Sequence, residues 1–566
     1  MKPLDPPLHT ALKARRWLRR EWRFSDFHGI LLWAGLVGFS AALVTAAFRQ
    51  AIAFLTASFT GKSGYFVEVA MALPPWQRVL IPTLGSLIAG LILQFGSRLL
   101  PKRPVSDYME AVAVGDGFLS IRATLVKCTS SLFTIASGGS IGREGAMVQL
   151  SALAGSILGR LLNFPRTSRR LLVACGAAAG IAAVYNAPLS AAVFVCEILL
   201  GSVELEQVGP LIVASVIANA TSHNLLGYEP VFQAPVVSLQ SSQELLFYLV
   251  LGLAAGHLGP AFIWLLEMQR QMFLRLTSNL TVRLTLGGLV VGLVSVLNPM
   301  VWGNGFEVIS SILQHQWTTL ALGSILLAKL FATSAMVGSG AVGGVFTPTL
   351  FCGAVLGAFA GGVAEHIAPN WVGPAEAYAL VGMGAFLAAT THAPLTSVLM
   401  VFEMTRQYDI VLPLMIASIA AEYTAKSYGR SIYAEAQQVR ARPDFELKDL
   451  LRRPEVVVTP SADLAVLRQL FSHTPYNSLQ VVDAEGKWLG VIGRKQLATA
   501  LPDQLAGQLV SSSSRFLSLA MTAEQAYQTA TEIPSETLPV VDEAGIYQGT
   551  LSKSSFMRAL QRRIRG

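Results

Sequence analysis

Apolar residues run through this chain in blocks of two kinds. Residues 29–56, 76–99, 243–275, 284–298 and 318–336 form the long kind, suited to membrane-crossing helices, which need about 20 residues. Between them the blocks shorten to 121–136, 145–162, 170–184, 188–200 and 207–222, and a second broken stretch covers 338–427. Gly and Pro cut these pieces, and many fall short of a full crossing. The pattern therefore predicts tilted, half-crossing or re-entrant helices. Residues 8–24 read as a short basic amphipathic helix. After about Glu446 hydropathy falls, and the tail reads as an ordinary soluble α/β sequence.

Composition agrees with a polytopic α-helical membrane protein carrying a soluble tail. Of 566 residues, 52% are hydrophobic and only 13% charged, and mean hydropathy is +0.52. These values exclude a soluble enzyme of this size. Net charge is +8, but the basic residues crowd the start: Lys13, Arg15, Arg16, Arg19, Arg20 and Arg23 precede the first span. The positive-inside rule then predicts a cytoplasmic N-terminus. The cluster abuts a membrane span, so no nucleic-acid partner is expected. No cleavable signal is expected either, because the first apolar run is long enough to span. Cys128, Cys175, Cys196 and Cys352 stand singly in apolar surroundings, without CxxC spacing. They read as buried small hydrophobes and not as metal or redox ligands.

One stretch departs from its apolar setting. Residues 137–147 carry Arg143 and Glu144 side by side, among Gly138, Gly139, Gly142 and Gly145. A carboxylate at membrane depth is costly, which makes it a functional candidate. The glycines predict a broken backbone, with a new helix starting near Glu144. A helix start offers unpaired N–H groups and the positive end of a dipole, hence an anion site. Irregular backbone survives in a bilayer only where it lines a cavity or is enclosed by protein. The plainer alternative is an Arg–Glu pair that satisfies itself between packed helices.

Two internal repeats organise the chain. At a constant offset of 206, Gly176, Ala182, Ala183, Ala187, Pro188, Leu189 and Glu197 match Gly382, Ala388, Ala389, Ala393, Pro394, Leu395 and Glu403. A Gly-rich break lies upstream of each copy, at 137–145 and at 338–348. Interrupted helices at corresponding positions of two halves predict a binding site at the repeat interface. In the tail, residues 479–490 pair with 538–549 at an offset of 59. Each copy reads as strand, Asp/Gly turn and strand, preceded by a helical segment at 462–473 or 522–532.

Gly142-Arg-Glu-Gly145, Asn186-Ala-Pro188, Gly344-Val-Phe-Thr-Pro348 and Ser431-Ile-Tyr433, in that order, resemble the CLC chloride channels and chloride/proton antiporters, and most closely the bacterial ClcB-type branch. The resemblance covers about residues 28–435, and the tail resembles a pair of CBS domains. It implies an all-α polytopic fold with an inverted internal repeat, followed by the soluble α/β pair. The expected layout is a cytoplasmic basic segment at 1–27 and a transmembrane domain at 28–435, with halves at about 28–223 and 243–427. A linker at 436–449 and CBS domains at 450–501 and 518–563 follow. The resemblance makes Glu144 the gating glutamate, flanked by Arg143, Gly142 and Gly145. It places the N–H groups of Val345 and Phe346, ahead of Pro348, and the Tyr433 hydroxyl around a central chloride. It further implies a homodimer in the bacterial inner membrane, with both termini cytoplasmic, lipid and chloride as partners, and no cofactor or metal.

The sequence departs from the family pattern in places. The Gly-Ser-Gly-Ile-Pro stretch that supplies a central serine is missing. Residues 103–110 stand there, with Ser106 as the candidate substitute, and Asp107 and Glu110 also read as helix caps. The inner proton glutamate expected directly after position 197 is Ile198. That favours a gated chloride channel, with chloride/proton exchange as the alternative. Glu197 and Glu403 read as structural, each paired within its own repeat. In the tail, the Thr or Ser followed by Asp that grips ribose is replaced by Gly493 and Gln496, then Ser552 and Ser555, which argues against nucleotide binding. A remote alternative is an intramembrane hydrolase built on Ser339 and His392. Met336 stands where the protease motif needs Gly, and His392 reads instead as a helix-start group. Gly61-Lys-Ser63 lacks the upstream Gly of a phosphate loop.

Overall fold

The computed structural model describes residues 26–98, 107–113, 115–201, 205–227, 231–237, 239–315, 317–433, 451, 457–473, 478–510, 515–519, 521, 523–533, 537–553 and 556. The basic N-terminal segment, Ser106, the whole 436–449 linker and Ser555 lie outside these residues. The chain divides into two compact units, Met1–Val439 and Arg440–Gly566.

The first unit is helical. Among the described residues, seven helices are long and apolar enough to cross a membrane. Five of these show a large face outward: Asp26–Thr60, Pro75–Arg98, Glu244–Leu276, Leu280–Leu297 and Thr319–Gly338. The other two, Arg166–Tyr185 and Phe346–Ile367, are mostly enclosed by protein. Their composition explains this. Ala174, Ala177, Ala178, Ala179, Ala182 and Ala183 are all fully or almost fully buried, and small side chains let membrane helices approach closely. The interrupted stretches resolve mostly into shorter helices, including Ile121–Ala136, Glu144–Leu161, Ala375–Thr391, Pro394–Thr405 and Val411–Lys426, whereas Leu205–Leu226 runs to 22 residues, longer than its apolar block indicates. Pro188–Phe194 runs on into a π-turn, Val195–Leu200. Polar caps set several starts. The Ser120 side chain accepts from Ala123 N–H, and Asn279 accepts from Thr281 and Val282 N–H. The Asn279 cap explains why the fourth long span begins at Leu280, earlier than hydropathy alone indicates. Short helices at Phe66–Ala72 and Phe306–Gln314 were not legible as separate elements.

The two halves repeat in backbone detail. Asn186 (φ 50°, ψ 35°) and His392 (φ 58°, ψ 36°) end their helices in the left-handed conformation. The next residues, Ala187 (−129°, 73°) and Ala393 (−129°, 75°), lead into Pro188 and Pro394. Asn and His tolerate positive φ better than most residues, so this pair marks a helix-to-helix corner. His392 is therefore a helix end, not the helix-start group its sequence position indicates, and its Nε2 lies 2.6 Å from Arg430 O. Ser339 donates to Met336 O at 2.6 Å, an ordinary helix-end bond.

Glu197 and Glu403 are structural, but they pair across the repeats and not within them. Glu403 accepts from Leu189 N–H (3.0 Å), Ser190 N–H (2.7 Å) and the Ser190 hydroxyl. Glu197 accepts from Leu395 N–H (3.4 Å), Thr396 N–H (2.9 Å) and the Thr396 hydroxyl (2.6 Å). Each carboxylate thus caps the Pro-led helix of the other half. The reason is the orphan N–H groups of a helix start: a carboxylate on the facing helix satisfies them as a local cap would.

Among the described residues, the second unit holds two three-stranded sheets of the same order. Ser478–Val482 lies between Val457–Val458, parallel, and Trp488–Gly493, antiparallel. Thr537–Val541 sits likewise between Leu517–Ser518 and Tyr547–Ser552. Ser478↔Gly493 in one sheet corresponds to Thr537↔Ser552 in the other, so the registers repeat as the sequence does. Helices Leu464–His473 and Ala523–Glu532 precede the central strands. The turns exchange bonds: Trp488 N–H donates to Gly545 O (3.1 Å) and Tyr547 N–H to Gly486 O (3.0 Å). Gln496 accepts from Gly493 N–H at 2.6 Å, so it serves as a local helix cap.

Candidate functional site

The two glycine-rich breaks meet. Gly142 N–H donates to Gly344 O at 2.7 Å, and Gly344 N–H donates to Gly142 O at 2.9 Å. This isolated bridge sets two helix starts beside each other, those of Glu144–Leu161 and Phe346–Ile367. In the second helix the third residue is Pro348, which has no N–H to offer. Phe346 and Thr347 are therefore its first-turn donors.

Glu144 reaches across to that second helix. Thr347 N–H donates to Glu144 Oε1 at 3.0 Å, and the Thr347 hydroxyl donates to Oε2 at 3.1 Å. The residue is 5% exposed. An acidic side chain thus sits where a helix start would hold a free anion. The close fit needs glycine on both sides. A Cβ on Gly142 would fall 2.0 Å from Glu144 Oε1, and one on Gly344 would fall 2.4 Å from the same atom. Gly145 faces the Gly343–Gly344 backbone, so Gly142 and Gly145 serve the bridge, whereas Gly138 packs against Trp302 and Gly139 against Thr134.

Arg143 and Glu144 form no ion pair among the described residues, so the self-satisfying pair is not what folds. The Arg143 guanidinium lies over the Phe306 ring, 5.3 Å from its centroid, and its Nε is buried without a hydrogen-bond partner among the described residues. Nearby, Glu307 accepts from Phe66 N–H (3.0 Å) and Val67 N–H (2.7 Å). Lys329 is fully buried and donates to Val301 O (3.1 Å) and Gly303 O (2.8 Å). Sequence reading missed this lysine, because one cation in a long apolar span reads as an interruption until its carbonyl partners are known.

A cavity of about 410 Å³ opens against Glu144. Val345, Phe346, Tyr185, Tyr108 and Tyr433 are on its wall, so the sequence-predicted Val345, Phe346 and Tyr433 come together with Glu144. Tyr433 is positioned by the segment before it. Ile432 N–H donates to Thr390 O (2.9 Å), and Tyr433 N–H donates to the Ser431 hydroxyl (3.2 Å). The Tyr433 ring meets Phe194 edge-on at 5.6 Å, and Phe194 meets Phe346 edge-on at 6.0 Å. Asp107 Oδ1 accepts from Met109 N–H at 2.8 Å, a helix cap as its sequence position indicates. Glu110 stands in the first turn of the same helix. Ile198 is buried in the π-turn.

Two members of the site went unnoticed in the sequence. Thr347 holds both carboxylate oxygens of Glu144, and the Tyr185 hydroxyl lies 2.9 Å from Thr347 Oγ1. Their signal was positional. Thr347 is the second residue of the helix that Phe346 opens, and Tyr185 directly precedes the Asn-Ala-Pro corner.

Comparison with known proteins fits this arrangement. The family model described as voltage gated chloride channel matches residues 84–426, and the CBS domain model matches 447–503. A protein of Ralstonia nicotianae described as chloride channel protein ClcB-like is 50% identical over 408 residues, covering 71% of this chain and 95% of the relative. The voltage-gated ClC-type chloride channel ClcB of Salmonella typhimurium is 42% identical over 410 residues, covering 72% of this chain and 98% of the relative. The crystal structure of a slow cyanobacterial Cl⁻/H⁺ antiporter superposes with a TM-score of 0.63 at 23% identity, covering 74% of this chain and 99% of the other. A multi-pass membrane protein built from two halves that meet at Gly142 and Gly344, followed in sequence by a CBS domain, this chain belongs to the CLC family of chloride-transporting proteins.

Proposed function

We propose that this protein is a gated, anion-selective chloride channel with Glu144 as its gate. The observation that carries the reading is the Glu144 carboxylate on the start of the Phe346–Ile367 helix, above a cavity lined by Val345, Phe346 and Tyr433. An ionised carboxylate and a chloride compete for the same helix start. Protonation discharges Glu144, loosens it from the dipole and lets it swing aside, so acid opens the path. Val345 and Phe346 N–H groups and the Tyr433 hydroxyl then hold the anion. Uncharged dipoles suit this task, since conduction requires binding weak enough to release. Ser106 is the candidate for a further donor.

Ile198 supports the channel reading over chloride/proton exchange. An apolar residue stands where a proton would need a carboxylate, so coupled proton movement has no relay there. The proposal includes a homodimer in the bacterial inner membrane, with both termini cytoplasmic as the basic cluster at 13–23 favours. In this reading each subunit has its own pathway, around the meeting of Glu144, Val345, Phe346 and Tyr433.

The test is simultaneous measurement of chloride and proton flux in vesicles reconstituted with the full-length protein. The expected result is chloride flux that rises as pH falls, with negligible proton movement under a chloride gradient. Glu144→Ala is expected to keep chloride flux and lose its pH dependence. Protons driven uphill by chloride establish exchange instead, and retained pH dependence in Glu144→Ala removes the gate assignment.

A further inference from the structure

The bonds around Glu144 have a direction. An ionised carboxylate can only accept, so the single hydroxyl proton of Thr347 points to Glu144 Oε2 at 3.1 Å. Thr347 Oγ1 then has only acceptor capacity left for Tyr185, whose hydroxyl lies 2.9 Å away. Tyr185 must donate. The order is Tyr185 O–H to Thr347 O–H to Glu144 carboxylate.

Tyr185 has little else to do with its hydroxyl. It is 1% exposed and packed against apolar rings, 5.0 Å from Phe346 and 6.3 Å from Phe306. A buried hydroxyl among apolar groups needs a partner, and its partner here is Thr347. Other charged or titratable groups surround Glu144. Arg143 precedes it, Tyr108 and Tyr433 come from neighbouring elements, and Asp107, Glu110, Lys127 and Cys128 line the cavity. Among the described residues, only Thr347 donates to the carboxylate from another element. The two hydroxyls therefore act on Glu144 in series.

We propose that Thr347 and Tyr185 are positioning residues that latch the Glu144 gate shut. This rests on the gate reading above and adds to it what sets the pH of opening. The sign follows from the acceptor. The hydroxyl of Thr347 stabilises the ionised, seated carboxylate, and Tyr185 strengthens that bond by polarising the donor. Both resist protonation of the seated group, so more acid is needed to open. Removing either hydroxyl moves opening to higher pH. Proton uptake breaks the latch, because a neutral carboxyl forms the weaker bond.

The test measures the pH midpoint of chloride flux in vesicles containing the full-length protein. Thr347→Val keeps the shape and the N–H bond but removes the hydroxyl. Its midpoint is expected to rise by about one to two pH units, the size of one hydrogen bond to an ionised group. Tyr185→Phe is expected to shift the midpoint in the same direction by less. The double variant is expected to match Thr347→Val alone, because Tyr185 acts only through Thr347. Thr347→Ser is expected to restore the wild-type midpoint, which loss of packing would not predict. An unmoved midpoint in Thr347→Val, no rescue by Ser, or a full additive shift in the double variant overturns the latch. If Thr347→Val does not fold, Tyr185→Phe carries the test, and an unmoved midpoint there overturns it. Glu144→Gln separates the two levels. If it abolishes pH dependence, the gate stands and a failed shift sinks only the latch. If pH dependence survives, the gate itself falls.

Discussion

Gly142→Ala perturbs the gate without touching any of its bonds directly. The φ of Gly142 lies outside the positive range, so alanine is compatible with the backbone there. The new methyl, however, would lie 2.0 Å from Glu144 Oε1, 2.2 Å from Oε2 and 2.4 Å from Cδ. Ordinary carbon–oxygen contact needs well over 3 Å, so something must move by more than about 1 Å. The backbone resists, because Gly142 and Gly344 hold each other by two hydrogen bonds. The side chain gives way more easily. A shift of that size stretches the Thr347 N–H contact from 3.0 Å beyond hydrogen-bond range. Two bonds to an ionised group are lost, each worth about 1.5–3 kcal/mol, while hydration of the displaced carboxylate in the cavity offsets part. A net bias of about 2–3 kcal/mol toward the open state remains, or about 30–150-fold in the open-to-closed ratio at 1.4 kcal/mol per tenfold. The assay is chloride efflux from vesicles at neutral pH, where wild type is mostly shut. The expected outcome is faster efflux with weakened pH dependence. Efflux no faster than wild type, from protein that elutes as a folded species, refutes the reasoning.

Glu403→Ala is expected to lower stability by about 2–4 kcal/mol, since it strips a charged cap from Leu189 and Ser190. Thermal unfolding followed by tryptophan fluorescence in detergent checks this, and Glu197→Ala should cost no more, because one of its bonds is already long at 3.4 Å. Lys329→Met is expected to destabilise by a similar amount. It leaves Val301 O and Gly303 O without their donor, each orphaned carbonyl costing about 1–3 kcal/mol, and the same unfolding measurement reads it.

The helices of this chain were legible where one cause dominated. Ile121–Ala136 and the helix starting at Glu144 follow from apolar length and from the glycine break. The two repeats were legible because their spacing is constant in sequence, and the sheets reproduce it residue for residue. The partner of Glu403 was not legible. Two identical motifs give no clue whether a carboxylate closes its own helix or its twin, since only the crossing of the two halves decides that. Glu144 was legible as an intramembrane carboxylate, but Thr347 was not, because a threonine in an apolar helix more often bonds its own turn. Only the approach of the Glu144 helix start gives its hydroxyl that acceptor. His392 misled for a related reason: its backbone angle, and not its side chain, is what the corner requires.

The exchanged caps also govern how the molecule is made. Ser190 leaves the ribosome 213 residues ahead of Glu403, which closes its helix. The first half therefore enters the bilayer with an open helix start, and no local rearrangement can finish it. The second half arrives with the same defect at Thr396, and the remedy, Glu197, is already waiting. Completion is mutual and comes at a single late moment in synthesis. A chain cut short before that moment keeps bare N–H groups at Leu189 and Ser190 and an unused carboxylate at Glu197, two polar groups that the full-length fold never leaves open.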